Sequence, residues 1–312
     1  MKEKHLGVIA MVIAAFGLAI AVMLMKVIPG FTGMPPQHVA IWRFSIAAPV
    51  FWVILKLRYH PKQFFPHPPG RFLVLGLVFS VASFSAVFAL QRLPSSIYVI
   101  IFYIYPSLVT LYALLTGASV PRLFWLGLPL TFAGLALISI EFGAALAIDP
   151  IGLVITLVNA CAVAVYMILS EKAFKAIDDQ LLGTHGVMFG AMLVGIVLIP
   201  VLGISTPGDL GGWALMISLS IFGSLVPILA MNVGLRLLTA ARGSVIITVQ
   251  PVLNILLGML FLSESLNLQQ WVGGGLVIAA VILLARSPDR APSGKPRQGK
   301  DLHTRERESP IQ

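Results

Sequence analysis

The chain reads as ten long apolar runs separated by short polar punctuation, at roughly 6–28, 38–57, 71–91, 95–117, 122–141, 151–171, 181–202, 211–234, 242–263 and 269–286. Each holds about 20 residues, the number a helix rising about 1.5 Å per residue needs to cross a bilayer core. The connections are mostly short. The one Pro-rich link, "RYHPKQFFPHPPGR" (58–71), joins the second run to the third, and no connection is long enough to hold a soluble domain. The first run follows "MKEKH" and continues to about Met25 without a small-x-small cleavage site, so it is expected to remain as a span and not to be removed as a leader. The predicted fold class is an all-α integral membrane protein of ten transmembrane helices.

Composition strengthens this reading. Of 312 residues, 58% are hydrophobic and 11% are charged, with a mean hydropathy of +0.96. A soluble protein carries about 25% charged residues, enough to face water; this chain does not. The isoelectric point near 9.9 would suggest nucleic acid in a soluble protein. Here the excess reads as loop charge that sets topology, and no nucleic-acid partner is expected. With both termini in the cytoplasm, the inside segments collect the Lys and Arg residues, and only Lys26, Arg43 and Arg92 of the 21 fall elsewhere. The lone cysteine, Cys161, permits no internal disulfide and reads as a packing residue in an apolar run. Residues 287–312 are basic and poor in apolar side chains, and are expected to form a disordered, solvated cytoplasmic tail.

Shifted by 145 residues, the two halves correspond. Gly7 meets Gly152, Ala15 meets Ala160, Ala19 meets Ala164 and Pro106 meets Pro251. One residue later in register, Trp125, Gly127 and Leu130 meet Trp271, Gly273 and Leu276. The expected units are therefore a first five-helix repeat over 1–145 and a second over 146–286. Five is odd, so the second copy enters the membrane from the opposite side, which makes the pair inverted repeats. Many secondary transporters are built this way, with the substrate near the midplane between the halves.

Two segments carry a family resemblance: "IWRFSIAAPV" (41–50) and "LRLLTAARGSVIITVQPVLNILLGMLFLSESLNLQQWVGGGLVIAAVILL" (235–284). They resemble the drug/metabolite transporter superfamily, specifically its EamA-type permeases. Pro251, Glu264, Asn267 and Gly273 to Gly275 occupy the positions of the repeat hallmark. The first repeat, "LQRLPSSIYVIIFYIYPSLVTLY" (90–112), departs from it further on, with Ser119 where the second has Glu264. The resemblance covers about 6–286. It implies a ten-helix transporter with a central cavity lined by spans 1, 3, 4, 6, 8 and 9, and amino acids or related metabolites, exported, as the leading substrate class.

Polar residues at membrane depth need partners, and they mark the candidate site. Ser95, Tyr98, Phe102 and Tyr105 follow one helical face at i, i+3, i+7 and i+10. Thr248 follows Ser244 by four, Asn254 follows Gln250 by four, and Tyr166 follows Asn159 by seven. The candidate substrate cavity is therefore Ser95, Tyr98, Phe102, Tyr105, Asn159, Tyr166, Thr248, Gln250 and Asn254, phenols and amides on aromatic and aliphatic walls. The competing reading has the same groups anchoring at interfaces or bonding neighbouring helices. Pro106 and Pro251 each remove a backbone hydrogen bond and are candidate kinks or hinges. Arg43 is a candidate charge partner for a substrate carboxylate; alternatively it snorkels outward or bonds helix carbonyls.

Carboxylates lie near span ends, as Glu141, Glu171 and Glu264, and His185 reads as the one membrane-embedded histidine. That favours facilitated or weakly coupled transport. Glu171 is expected to be neutralised by Lys172 or Lys175, and "NLQQ" (267–270) resembles a capping box opening the last helix. Intramembrane protease signatures and a phosphate-binding Gly loop are absent from the sequence, so neither an enzyme, a cofactor nor a metal is expected. The expected partners are a small-molecule substrate and membrane lipid, and one chain holds both repeats, so a monomer could be functional. A channel or a flippase for lipids or amphiphiles is the alternative function.

Overall fold

The computed structural model describes residues 2–58, 65, 68–117, 122–139, 149–262 and 267–285. Its helices are α1 (Lys2–Thr32), α2 (Pro36–Arg58), α3 (Pro69–Leu90), α4 (Ser95–Phe102), α5 (Tyr105–Leu115), α6 (Arg122–Ser139), α7 (Pro150–Lys175), α8 (Gln180–Leu202), α9 (Leu210–Ser220), α10 (Val226–Leu237), α11 (Ala240–Ile247), α12 (Gln250–Leu262) and α13 (Leu268–Ala285). A π-helical turn, Ile221–Leu225, joins α9 to α10. Three passes are therefore composite (α4–α5, α9–α10 and α11–α12), and the helices make ten apolar passes. Eight are at least 18 residues long, and the shorter apolar helices α6 and α13 complete the set. Large apolar side chains such as Val197, Val201 and Leu260 stand fully outward. A surface of that kind belongs against lipid, and the chain is a multi-pass membrane protein.

The inversion appears as a repeated register. The α4 helix begins at Ser95 and ends at Phe102, and α5 resumes at Tyr105. Its counterparts, α11 from Ala240 to Ile247 and α12 from Gln250, match residue for residue at the 145 offset read in the sequence. The same holds for packing. A Cβ on Gly7 would meet Leu238 Cγ at 2.8 Å, and one on Gly152 would meet Leu93 Cγ at 2.7 Å, so both glycines are held to hydrogen by the same pair of crossings. The crossing of α1 on α10 is thus the counterpart of α7 on α3.

The inner passes are α1, α3, α4–α5, α7, α9–α10 and α11–α12. The α2 helix packs on α8 at one flank, and α6 packs on α13 at the other. Glycines permit the close crossings: the carbonyl of Gly273 lies 2.7 Å from where a Gly134 Cβ would stand, and the reverse contact is also 2.7 Å. Helix starts are capped as their sequences dictate. Asp149, Asp179 and Asp209 accept from Ile151, Leu182 and Gly212 N–H groups. The Asn267 and Gln270 side chains exchange bonds with each other's backbone N–H, the capping box anticipated from "NLQQ". Asp149 also receives a bond from Arg92, which holds its carboxyl below the usual carboxylate range.

Two expectations change and a third is extended. Cys161 is exposed on α7 and does not pack. His185 is not alone, because His38 is also buried, its ring nitrogens bonded to Ser205 Oγ at 2.9 Å and the Leu202 carbonyl at 2.8 Å. Sequence position put His38 at a span edge, whereas α2 starts at Pro36 and the 203–209 connection folds over it. Glu171 does pair with Lys175, at 2.6 Å, but its second oxygen also accepts the Ala240 N–H at 2.6 Å and so caps α11. Ser119, Glu141, Glu264 and the 287–312 tail lie outside the described residues.

Candidate functional site

The two proline breaks are one of the places where the halves meet. A proline offers no N–H to the carbonyl four residues back, so Pro106 leaves Phe102 C=O, and Pro251 leaves Ile247 C=O, without the usual donor. The chain ahead of each tightens to i→i−3 bonds, Ile104 to Ile101 and Val249 to Ile246, both at 3.2 Å and again one offset apart. The Thr248 N–H likewise bonds Val245 C=O at 3.0 Å, one residue short of the helical acceptor Ser244. The Ser244 carbonyl receives instead the Tyr105 hydroxyl, at 3.2 Å. A side chain beside the break of one half thus bonds the backbone loosened by the break of the other.

Around that contact the aromatic side chains form a continuous cluster. Tyr98 stacks on Phe102 with centroids 5.5 Å apart and rings within 6° of parallel. Phe102 meets Tyr105 at 5.2 Å, and Tyr103 meets both Phe102 and Tyr105. Tyr103 is buried and was absent from the sequence candidates, because it falls out of the 3.6-residue phase of Tyr98 and Tyr105. The break at residues 103–104 removes that phase relation.

The α7 helix supplies the second wall. Asn159 Oδ1 accepts from the Tyr98 hydroxyl at 3.0 Å, and its amide donates to the Ala82 carbonyl and, at 3.3 Å, to Ser85 Oγ. Two turns on, the Tyr166 hydroxyl donates to Asn232 Oδ1 at 3.0 Å, and the Asn232 amide donates to Thr184 Oγ1 at 3.1 Å. One amide therefore ties α7 to α3 and α4, and the other residue ties it to α10 and α8. Thr184 had no sequence signal beyond being a hydroxyl near a helix start; that hydroxyl donates to the Gln180 carbonyl at 2.7 Å, and Asn232, which donates to it, is 48 residues away.

The remaining candidates are placed unevenly. Ser95 is exposed at the start of α4, at one end of the bundle and away from the aromatic cluster. Thr248 is buried with its hydroxyl on the Val245 carbonyl. Gln250 is half-buried at the second break, and Pro106 and Pro251 are buried. Asn254 Oδ1 is buried and has no hydrogen-bond partner among the described residues.

Arg43 lies apart from this cluster, against the π-helical turn. Its Nη2 donates to the Gly223 carbonyl at 2.6 Å and its Nε to Ser224 Oγ, while Nη1 stands 3.7 Å from the Met25 sulfur. Pro227 is consistent with the pairing: Gly223 is four residues before it and cannot receive the usual i→i−4 N–H, and the guanidinium donates to that carbonyl. Arg43 does not snorkel, at 6% exposed. Sequence reading assigned no role to Pro227, though the Pro and the Arg together were the available signal.

Comparison with known proteins agrees with this architecture. The EamA-like transporter family matches twice, over residues 5–140 and 150–286, once per five-pass half. Relatives include an uncharacterized inner membrane transporter, YedA, of Escherichia coli strain K12, 24% identical over 82% of this chain and 83% of its own. An uncharacterized transporter of Archaeoglobus fulgidus is 25% identical over 70% of this chain and 77% of its own. YcbK of Bacillus subtilis strain 168, also described as an uncharacterized transporter, is 25% identical over 80% and 83%. A solved crystal structure superposes with a TM-score of 0.74 at 17% identity, covering 90% of this chain and 96% of that one, a likeness of fold. With ten apolar passes, a 145-residue inverted register and a family match on each half, the chain belongs to the EamA-like transporter family.

Proposed function

We propose that this protein is a secondary transporter that moves a small organic metabolite, an amino acid or a close relative, across the cell membrane by alternating access, with export as the working direction. The observation that carries the proposal is the Tyr105–Ser244 contact between two helix breaks of identical register. A pair of equivalent, interrupted helices meeting mid-bundle can hinge to open either side by related motions. Tyr98, Phe102, Tyr105, Asn159, Tyr166, Thr248, Gln250 and Asn254 supply neutral donors, acceptors and aromatic faces. No carboxylate belongs to the set, which favours facilitated or weakly proton-coupled flux.

Both termini are proposed to be cytoplasmic. Lys56 and Arg58 end α2, Lys172 and Lys175 end α7, and Arg236 ends α10, all at one end of the bundle, as the positive-inside rule requires. The full chain reconstituted in proteoliposomes with a panel of labelled amino acids should show saturable flux and counterflow for at least one substrate, unchanged by an imposed pH gradient. Tyr98→Ala, Tyr105→Ala and Gln250→Ala should each lower it. Normal transport by all three variants would remove the site, and linear flux without counterflow would make the protein a channel.

A further inference from the structure

The two halves differ in how their interrupted passes are held. The α5 helix packs on α11, and α7 packs on α11, both in the half of the bundle where α7 ends. The 145-residue offset makes α4 the counterpart of α11, α12 that of α5 and α1 that of α7. No comparable packing joins α4 to α12 or to α1 among the described residues. Other packings do recur: α7 on α5 as α1 on α12, and α7 on α4 as α1 on α11. The pseudo-symmetry is broken at one place. The interrupted passes are drawn together at the end where α7 finishes and stand apart, α4 from α12, at the other.

Two neighbouring side chains at the end of α7 account for the joined end. Glu171 Oε2 accepts the Ala240 N–H at 2.6 Å, a first-turn donor of α11 that has no helical acceptor. The carboxylate also faces the positive end of the α11 dipole, and Lys175 holds its other oxygen. Lys172 reaches the other interrupted pass, its Nζ donating to the Tyr112 hydroxyl near the end of α5. Thr239 completes the start of α11 by accepting from the Arg242 N–H. The offset puts Lys26, Val27, Leu257 and Pro94 where Glu171, Lys172, Tyr112 and Thr239 stand. An ammonium accepts no hydrogen bond, and neither aliphatic side chain can donate or accept one. The α4 helix begins after Pro94 without a side-chain cap. These residues cannot build the same ties at the other end.

We propose that Glu171 and Lys172 form a one-sided clasp that holds the passage shut at the cytoplasmic end, so that the resting protein faces outward and opens inward only when Ala240 and Tyr112 are released. The proposal rests on the alternating-access reading and on the orientation given above. A cap that served only to shape α11 would not set which side of the protein is open.

Two single-cysteine reporters in a Cys161→Ser background test this in the full chain without any substrate. Ser244→Cys lies at a fully buried position on α11, and Asn254→Cys at a half-buried one on α12, one turn beyond Gln250. A membrane-impermeant maleimide is applied to inside-out vesicles for the first and to right-side-out cells for the second. With the clasp intact, Asn254→Cys should label several-fold faster than Ser244→Cys. Glu171→Ala should speed labelling of Ser244→Cys about fivefold, the scale of one lost helix cap, and slow that of Asn254→Cys. Glu171→Gln keeps an acceptor for the Ala240 N–H and should leave both rates within about twofold. Tyr112→Phe removes only the second tie, should act as Glu171→Ala does but more weakly, and serves if that variant does not fold. Unchanged rates in both Glu171→Ala and Tyr112→Phe would overturn the clasp. So would a rise at Ser244→Cys with no slowing at Asn254→Cys, which is local fraying, or an equal rise in Glu171→Gln. Each of these failures leaves wild-type counterflow intact, whereas failure of alternating access itself abolishes it.

Discussion

Asn159 makes three hydrogen bonds with groups on α3 and α4, so its loss and the loss of one partner are not equivalent. Tyr98→Phe removes a single bond and should cost about 0.6 kcal/mol, the average measured for interhelical bonds in a membrane protein. Asn159→Leu strands the buried Tyr98 hydroxyl as well and should cost about 1–3 kcal/mol. Thermal unfolding in detergent measures both, and equal losses would show that Asn159 does not organise the site. At this scale the sequence exposed which residues turn inward, because Asn159 and Tyr166 share one helical face. It did not expose their partners, since Ala82, Ser85 and Asn232 sit on other helices at distances in sequence that no local period reports. Arg43 is the same case: its cost in an apolar run was plain, and its use, to answer the carbonyl left by Pro227, required α2 to be set beside the π-helical turn.

At the scale of the element, each break is a trade between backbone bonding and bending. Ala is favoured over Pro in a helix interior by about 3 kcal/mol, and Pro106→Ala would restore an N–H to face Phe102 C=O. The expected outcome is a protein of equal or greater thermal stability whose counterflow is several-fold slower, with Pro251→Ala behaving alike because the two breaks share one register. Full turnover in both variants would make the prolines static fitting pieces. Pattern alone located ten passes to within a few residues, since a 20-residue apolar run reports its own length. It did not locate the π-helical turn that divides a third pass, because hydropathy is continuous through a break; at the other two divided passes the signal was the prolines, Pro106 and Pro251.

At the scale of the whole molecule, the 145-residue offset was legible before any coordinates, and the glycine crossings at residues 7 and 152 show what it means in space. Small residues were kept where one helix of each half crosses one helix of the other. The offset could not say which helices form the centre, a matter of long-range packing. The ends of the bundle are joined by exposed ion pairs, Arg92 with Asp149 at one and Arg236 with Asp178 at the other. Exposed pairs of this kind contribute about 0–1 kcal/mol each, so neither of these two pairs by itself locks its end, which is compatible with the proposed alternating access. The most direct test is a single cysteine at the second break, Gln250→Cys in a Cys161→Ser background, challenged with a membrane-impermeant maleimide from each side of the membrane in turn. The account predicts labelling in both right-side-out cells and inside-out vesicles; labelling from one side alone would contradict it.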